Sequence, residues 1–281
     1  MTFDKQALQK LEEKSAKLRR NIITSIGVGS TGHIGGSFSA ADIVAALYFH
    51  KMKHNPADRY MADRDRFVLS KGHVAILQYA ALAQAGYFPI EELKDTKTLD
   101  SMLQGHPDLI KTGHVGIEAG TGSLGQGLSI GVGMALGLRM DKIAANIYVL
   151  IGDGELAEGQ VWEAAMAASV FGLDKLVAIV DKNNKQAQGA VVDRFNIENI
   201  AEKWKSFGWH VIEIGGHDME QILGALYAAD DVHGKPTVII ANTVKGKGLA
   251  IAEEHPAGFH NAALTQEQYD GAMALFAGGE E

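Results

Sequence analysis

Asn146-Ile147-Tyr148-Val149-Leu150-Ile151-Gly152-Asp153-Gly154 is the stretch on which the reading of this 281-residue sequence turns. Ile147 to Ile151 form an unbroken apolar run, the pattern of a strand covered on both faces and not of a half-exposed antiparallel strand. Gly152 ends the run and Asp153 follows it directly. Downstream, the periodicity predicts a helix over about 160–171, a second apolar strand over 176–180, a third over 210–214, a helix over 218–229 and a fourth strand over 237–242. Upstream, 66–70 reads as a short strand and 74–85 as a helix. Strands alternating with helices of this length predict an α/β fold, a doubly wound and mostly parallel sheet with helices on both faces.

The flanking segments fit one domain. Leu8, Leu11, Ser15, Leu18, Ile22 and Ile26 recur at helical spacing and give an amphipathic opening helix. Ser39 followed by Asp42 predicts a cap for a second helix running toward Lys53. The stretch 124–140 is apolar with Gly127, Gly131, Gly133 and Gly137, which suits a helix packed closely in the core or at a subunit interface. The five prolines are scattered and no segment has linker composition, so residues 1–277 read as one domain with 278–281 as a frayed tail.

Composition removes several function classes. Hydrophobic residues make up 46% and charged residues 21%, enough apolar content for a sizeable core. A net charge of −8 argues against nucleic acid or an anionic membrane as the main partner. With no cysteine, disulfides, thiolate metal sites and cysteine nucleophiles are excluded. The charged amphipathic start lacks the apolar stretch of a secretory leader, and no apolar run spans a bilayer, so the expected location is cytoplasmic. Glycine is in excess, 33 of 281 residues, which suggests backbone brought close to a ligand.

In an open parallel sheet, ligands bind at the carboxyl ends of the strands. Asp153 stands at one such end and Asn183, in Asp181-Lys182-Asn183-Asn184, at another. A right-handed crossover between the two strands would place them side by side, so that a carboxylate and an amide oxygen converge. Hard oxygen ligands that leave coordination positions open suit magnesium bound to a diphosphate, with Gly154 allowing close backbone approach.

With these residues in place, Gly152-Asp153-Gly154 followed some thirty residues later by Asn183-Asn184 resembles the thiamine diphosphate signature. Further segments resemble those of the transketolases: Thr31-Gly32-His33-Ile34-Gly35-Gly36-Ser37, Ser70-Lys71-Gly72-His73, Gly105-His106-Pro107, and Gly116-Ile117-Glu118 leading to Thr121-Gly122-Ser123-Leu124-Gly125-Gln126-Gly127. Lys245-Gly246-Lys247-Gly248 with His260 downstream resembles the closing element. The resemblance runs from about residue 10 to 265, yet the length matches only the amino-terminal half of that family. It implies a thiamine diphosphate-binding fold with magnesium, or calcium or manganese in its place, held by Asp153, Asn183 and the carbonyl of Lys185. It implies diphosphate contacts from His73, Gly154 and His260, with Gly122 and Leu124 near the aminopyrimidine. His33 and His106 would face substrate hydroxyls. Glu158 and Glu163 correspond to family glutamates at the dimer interface, the first joining the catalytic set and the second the cofactor-binding set. Asn261 and the extra His255 depart from the family pattern beside His260.

The implied activity is transfer of a two-carbon ketol unit from a ketose to an aldose, both as sugar phosphates. The pyrimidine-binding half is missing from the sequence, so the resemblance implies a separate carboxy-terminal subunit, two copies of each. Three rivals remain at this point. One is the α-subunit or a fragment of another thiamine enzyme, of the 2-oxo-acid dehydrogenase or deoxyxylulose-phosphate synthase type. Another is a non-catalytic cofactor-binding subunit. The third is a dinucleotide fold, because Gly120, Gly122 and Gly125 satisfy its glycine spacing, although the residues before them do not read as a buried strand.

Overall fold

Five parallel strands and their covering helices place the chemistry-bearing turns along one edge of the molecule. The structure is a computed structural model that describes residues 3–277; the expected frayed tail, 278–281, lies outside them. The strands are β1 (Arg66–Leu69), β2 (Ile147–Gly152), β3 (Leu176–Lys182), β4 (His210–Gly215) and β5 (Thr237–Asn242). Their order in the sheet is β1-β2-β3-β5-β4, every pair parallel. The principal helices are α1 (Lys5–Ile26), α2 (Ile34–Ser39), α3 (Ala41–Ala46), α4 (Ala75–Gln84), α5 (Gln126–Met140), α6 (Gly159–Val170), α7 (Ile200–Ser206), α8 (Met219–Ala228) and α9 (Gln266–Leu275).

The alternation of a strand explains the two cores. Tyr148 and Leu150 of β2, with Val177 and Ile179 of β3, point to the side covered by α1, α3, α4 and α8. Ile147, Val149 and Ile151, with Ala178 and Val180, point to the side covered by α5, α6 and α7. Both faces of the central strands are therefore dry, which is why their sequences are continuous apolar runs. The edge strand β4 is more exposed and tolerates His210 and Glu213.

Register sets the site. Gly152 pairs with Asp181 and Asp181 with Ala241, so β2, β3 and β5 end level with one another. Outside the sheet, Thr31–Gly32 pairs antiparallel with Ala262–Ala263, and Gly35 N–H donates to the Phe259 carbonyl at 3.0 Å. This small ladder draws His33 and His260, 227 positions apart in the chain, to one place. A second two-residue hairpin, Lys185–Gln186 with Gly189–Ala190, turns from Asn184, whose φ is +60°.

One expectation from the sequence is corrected. Ser39 does not cap the helix toward Lys53: it ends α2, and α3 starts from Ala40 without a side-chain cap before continuing as a π-helical turn over Leu47–Lys51. The Ser39 hydroxyl turns instead toward the sheet, where it donates to the buried Asp181 carboxylate.

Candidate active site at the carboxyl end of the sheet

Asp181 is the electrostatic centre from which the site is built. It is fully buried at the end of β3 and is paired with Lys71, while Ser39 and Thr243 donate to its two oxygens. Burial alone would favour its neutral form, but Lys71 and these donors hold its carboxyl below the ordinary value. Lys71 also donates to the Gly36 carbonyl at 3.1 Å, fixing α2 against the sheet. Asn183 directs its amide N–H toward Asp181 at 3.2 Å. A carboxylate cannot donate, so this contact sets the amide orientation and leaves the Asn183 carbonyl oxygen on the opposite side. There it accepts the Lys185 N–H at 3.0 Å and keeps a second lone pair free.

Asp153 lies one strand away. Its two oxygens accept N–H bonds from Gly154, at 2.7 Å, and from Asn184. Burial and the neighbouring Asp181 nevertheless push its carboxyl up to about 7. A buried carboxylate in that condition is short of positive charge, and a divalent cation would supply it. Among the described residues no cluster of three histidines, aspartates or glutamates could hold a metal by itself. Asp153 and Asn183 therefore offer hard oxygens that leave coordination positions for water and for the oxygens of a bound anion. That donor set fits magnesium carried by a diphosphate.

Opposite Asp153 stands a wall of nitrogen. The rings of His33 and His73 are 4.8 Å apart between centroids, His33 and His260 5.2 Å, and His73 and His260 5.5 Å. Lys245 reaches the same point, its Nζ 3.0 Å from His260 Nδ1 and 3.2 Å from the Gln186 carbonyl. Burial and the nearby cations hold His33 and His260 down to about 4 and His73 to about 2, so all three are neutral near pH 7. Burial, with Lys71 close by, lowers Lys245 to about 8. Cations crowded together with neutral imidazoles make a receptor for a polyanion. The cleft between this wall and Asp153 encloses about 180 Å³, with Gly36, Leu124, Gly154 and Lys185 also lining it.

The expected site residues are thus distributed as follows. Asp153, Asn183, Lys185, His73, Gly154, Leu124 and His260 line the cleft, and the His33 ring packs against those of His73 and His260. His106 is exposed on a neighbouring loop; a Cβ on Gly122 would lie 3.2 Å from its ring, so these two pack together beside the cleft. Glu158 and Glu163 do not reach it. Both are exposed, Glu158 immediately before α6 and Glu163 on its first turns. His255 stands outside the cleft beside Gln186.

Four further residues belong to the site. Asp181, Lys71 and Lys245 each lie inside one of the sequence motifs, but their pairing across long separations has no local signal. Glu155 is 2% exposed, takes the Ser70 hydroxyl and accepts N–H bonds from Gly125 at 2.7 Å and Gly152 at 3.0 Å. It ties the glycine loop around Gly122 and Leu124 to the end of β2. That loop follows helical turns at Leu109–Thr112 and Gly113–Val115, not a strand, so the dinucleotide fingerprint lacks its structural context.

Residues 12–276 match the family model for the transketolase thiamine diphosphate-binding domain. The chain belongs to the transketolase family. A 6-deoxy-6-sulfo-D-fructose transketolase subunit from Clostridium sp. is 45% identical over 264 residues, covering 94% of this chain and 95% of that protein. An apulose-4-phosphate transketolase subunit from Phocaeicola vulgatus is 40% identical, covering 95% and 93%. The transketolase structure from Leishmania mexicana superposes with a TM-score of 0.85 at 33% identity over 96% of this chain, but this chain spans only 41% of that one. Its match falls on the thiamine diphosphate-binding part of a transketolase. No helix among the described residues is long and apolar enough to cross a membrane.

Proposed function

We propose that the chain is the diphosphate-binding subunit of a split transketolase, a transferase that moves a two-carbon ketol unit from a ketose to an aldose together with a separate pyrimidine-domain subunit. The observation that carries this reading is coverage. The chain matches nearly the full length of two relatives named as transketolase subunits and about two-fifths of a full-length transketolase. Residues 1–277 act in it as one domain, and the assembly is two copies of each subunit, working in the cytoplasm.

In this reading Asp153, the Asn183 amide oxygen and the Lys185 carbonyl hold magnesium. His73, His260, Lys245 and the Gly154 N–H receive the diphosphate, whose charge lets Lys245 stay protonated. Leu124 and Gly122 offer a flat apolar contact to the aminopyrimidine. Thiamine diphosphate, when bound, supplies the nucleophilic carbon that carries the two-carbon unit. His33 and His106 stand on the substrate side. His33, neutral at pH 7, is able to accept a proton from a sugar hydroxyl and return it. Glu158 and Glu163, exposed at the start of α6, face the partner.

One relative is named for 6-deoxy-6-sulfo-D-fructose and the other for apulose 4-phosphate, so the sugars are the variable part of the reading. The test is a donor panel with the assembled complex: fructose 6-phosphate, xylulose 5-phosphate, 6-deoxy-6-sulfofructose and apulose 4-phosphate, each with glyceraldehyde 3-phosphate as acceptor. Magnesium-dependent two-carbon transfer from any of them supports the reading. Oxidative decarboxylation of pyruvate without ketol transfer overturns it.

A further inference from the structure

The segment Val244–Lys247 carries Lys245 into the cleft, and both of its ends are tied to one buried carboxylate outside the cleft. At the first end, His217 Nε2 accepts the Val244 N–H at 2.8 Å, while His217 Nδ1 lies 2.6 Å from Asp42 Oδ2. A peptide N–H can only donate, so Nε2 is the bare nitrogen and Nδ1 carries its proton toward Asp42. At the other end, Arg19 Nε donates to the Lys247 carbonyl at 2.9 Å, and its two terminal nitrogens donate to Asp42 at 3.0 and 2.8 Å. Burial opposes ionisation of Asp42, but His217, Arg19 and Ser15 outweigh it and hold its carboxyl below the ordinary range. The turn between the two anchors is tight: Gly246 has φ +83°, and a Cβ there would lie 2.7 Å from the Ala252 backbone. Its N–H donates to the Gly35 carbonyl at 3.0 Å, on the α2 side of the cleft.

We infer that His217 is a positioning residue: by accepting the Val244 N–H it aims Lys245 at the anion held in the cleft. The inference rests on the reading of the cleft as a diphosphate site. None of His217, Asp42 and Arg19 lines that cleft, and His217 lies in none of the sequence motifs. A segment of four residues with fixed ends and a strained middle has few ways to place its one inward side chain, so loosening one end moves Lys245.

Two conservative variants divide the ring's two bonds. His217→Gln keeps an acceptor near the Nε2 position for Val244. His217→Asn keeps a donor near the Nδ1 position for Asp42 and releases Val244. Thiamine diphosphate with magnesium, and inorganic pyrophosphate with magnesium as a second probe, are titrated into the full chain in complex with its partner. Thermal unfolding and amide exchange over 243–248 are followed in parallel. The expected result is affinity about tenfold weaker in His217→Asn, with His217→Gln within about twofold of wild type. Faster exchange at Val244 should appear only in His217→Asn, and unfolding temperatures should fall alike. Equal affinity in both variants, or losses that track unfolding temperature, would overturn the positioning role while leaving the site. Failure of the wild-type complex to bind either probe would overturn the diphosphate reading itself.

Discussion

Asp153 carries the sharpest prediction at the scale of single residues. Its carboxyl, pushed up to about 7, takes a proton on folding that the unfolded chain, near 3.8, does not. Between those values the folded state binds the extra proton, so this group's contribution to stability falls as pH rises from about 4 to 7. Above pH 7 the metal-free chain keeps a buried, poorly compensated anion. Asp153→Asn should therefore raise the unfolding temperature of the metal-free chain at pH 8, by about 2 °C or more, because a kcal/mol shifts a domain of this size by roughly 2–4 °C. The same substitution should lower affinity for thiamine diphosphate with magnesium by at least about 100-fold. Asn183→Ala, which removes a neutral ligand, should cost about tenfold. Calorimetric titration and thermal melts on the two variants check both halves; undiminished affinity in Asp153→Asn would remove the metal assignment. Asp153 and Asn183 are legible in the sequence because both stand at the carboxyl ends of apolar runs, inside short motifs; Asp181 stands at such an end too, but its role does not show. Its pairing with Lys71 is not legible, since an ion pair between residues 110 positions apart leaves no periodic or local trace.

At the scale of the element, α5 separates two uses of glycine that the sequence presents as one stripe. A Cβ on Gly131 would lie 2.6 Å from Val149 and 3.2 Å from Leu176, so Gly131 lets the helix settle on the sheet. Gly133 and Gly137 have nothing within 4 Å. Gly131→Ala is expected to destabilise by about 1–3 kcal/mol through overpacking. Gly133→Ala should stabilise the isolated chain by about 0.5–1 kcal/mol, the helix-propensity gain with no steric cost. If the open face receives the partner subunit, the same Gly133→Ala should weaken assembly, a dissociation measurement separate from the melts. The sequence offers a core or an interface as alternatives for this helix, and the structure gives the core to one side while leaving the other uncovered. The strand pattern is legible for the physical reason that both faces are buried. The end of α2 is not, because the Ser39 hydroxyl is drawn toward a tertiary anion, Asp181, which a local capping rule does not consider.

For the whole molecule, the neutral histidines predict a response to acid. His33, His73 and His260 titrate far below 6.5 in the folded chain, so between pH 6.5 and about 4 the unfolded state binds more protons and stability falls as pH falls. Three such groups outweigh the opposite trend of Asp153. The unfolding temperature should drop below pH 6.5, and His73→Asn should shrink the drop; a flat profile in wild type would contradict the buried, uncharged cluster. In the proposed function the cleft is half of a site: His106 is exposed beside it, and a relative of full length extends well beyond what this chain spans. A reactive carbon held there without a second subunit would be quenched by water. The decisive measurement is therefore two-carbon transfer, with thiamine diphosphate and magnesium, by the purified chain alone and after addition of the pyrimidine-domain subunit. The account predicts no transfer by the chain alone and turnover on the order of 10 per second on mixing; transfer at that rate by the chain alone would contradict it.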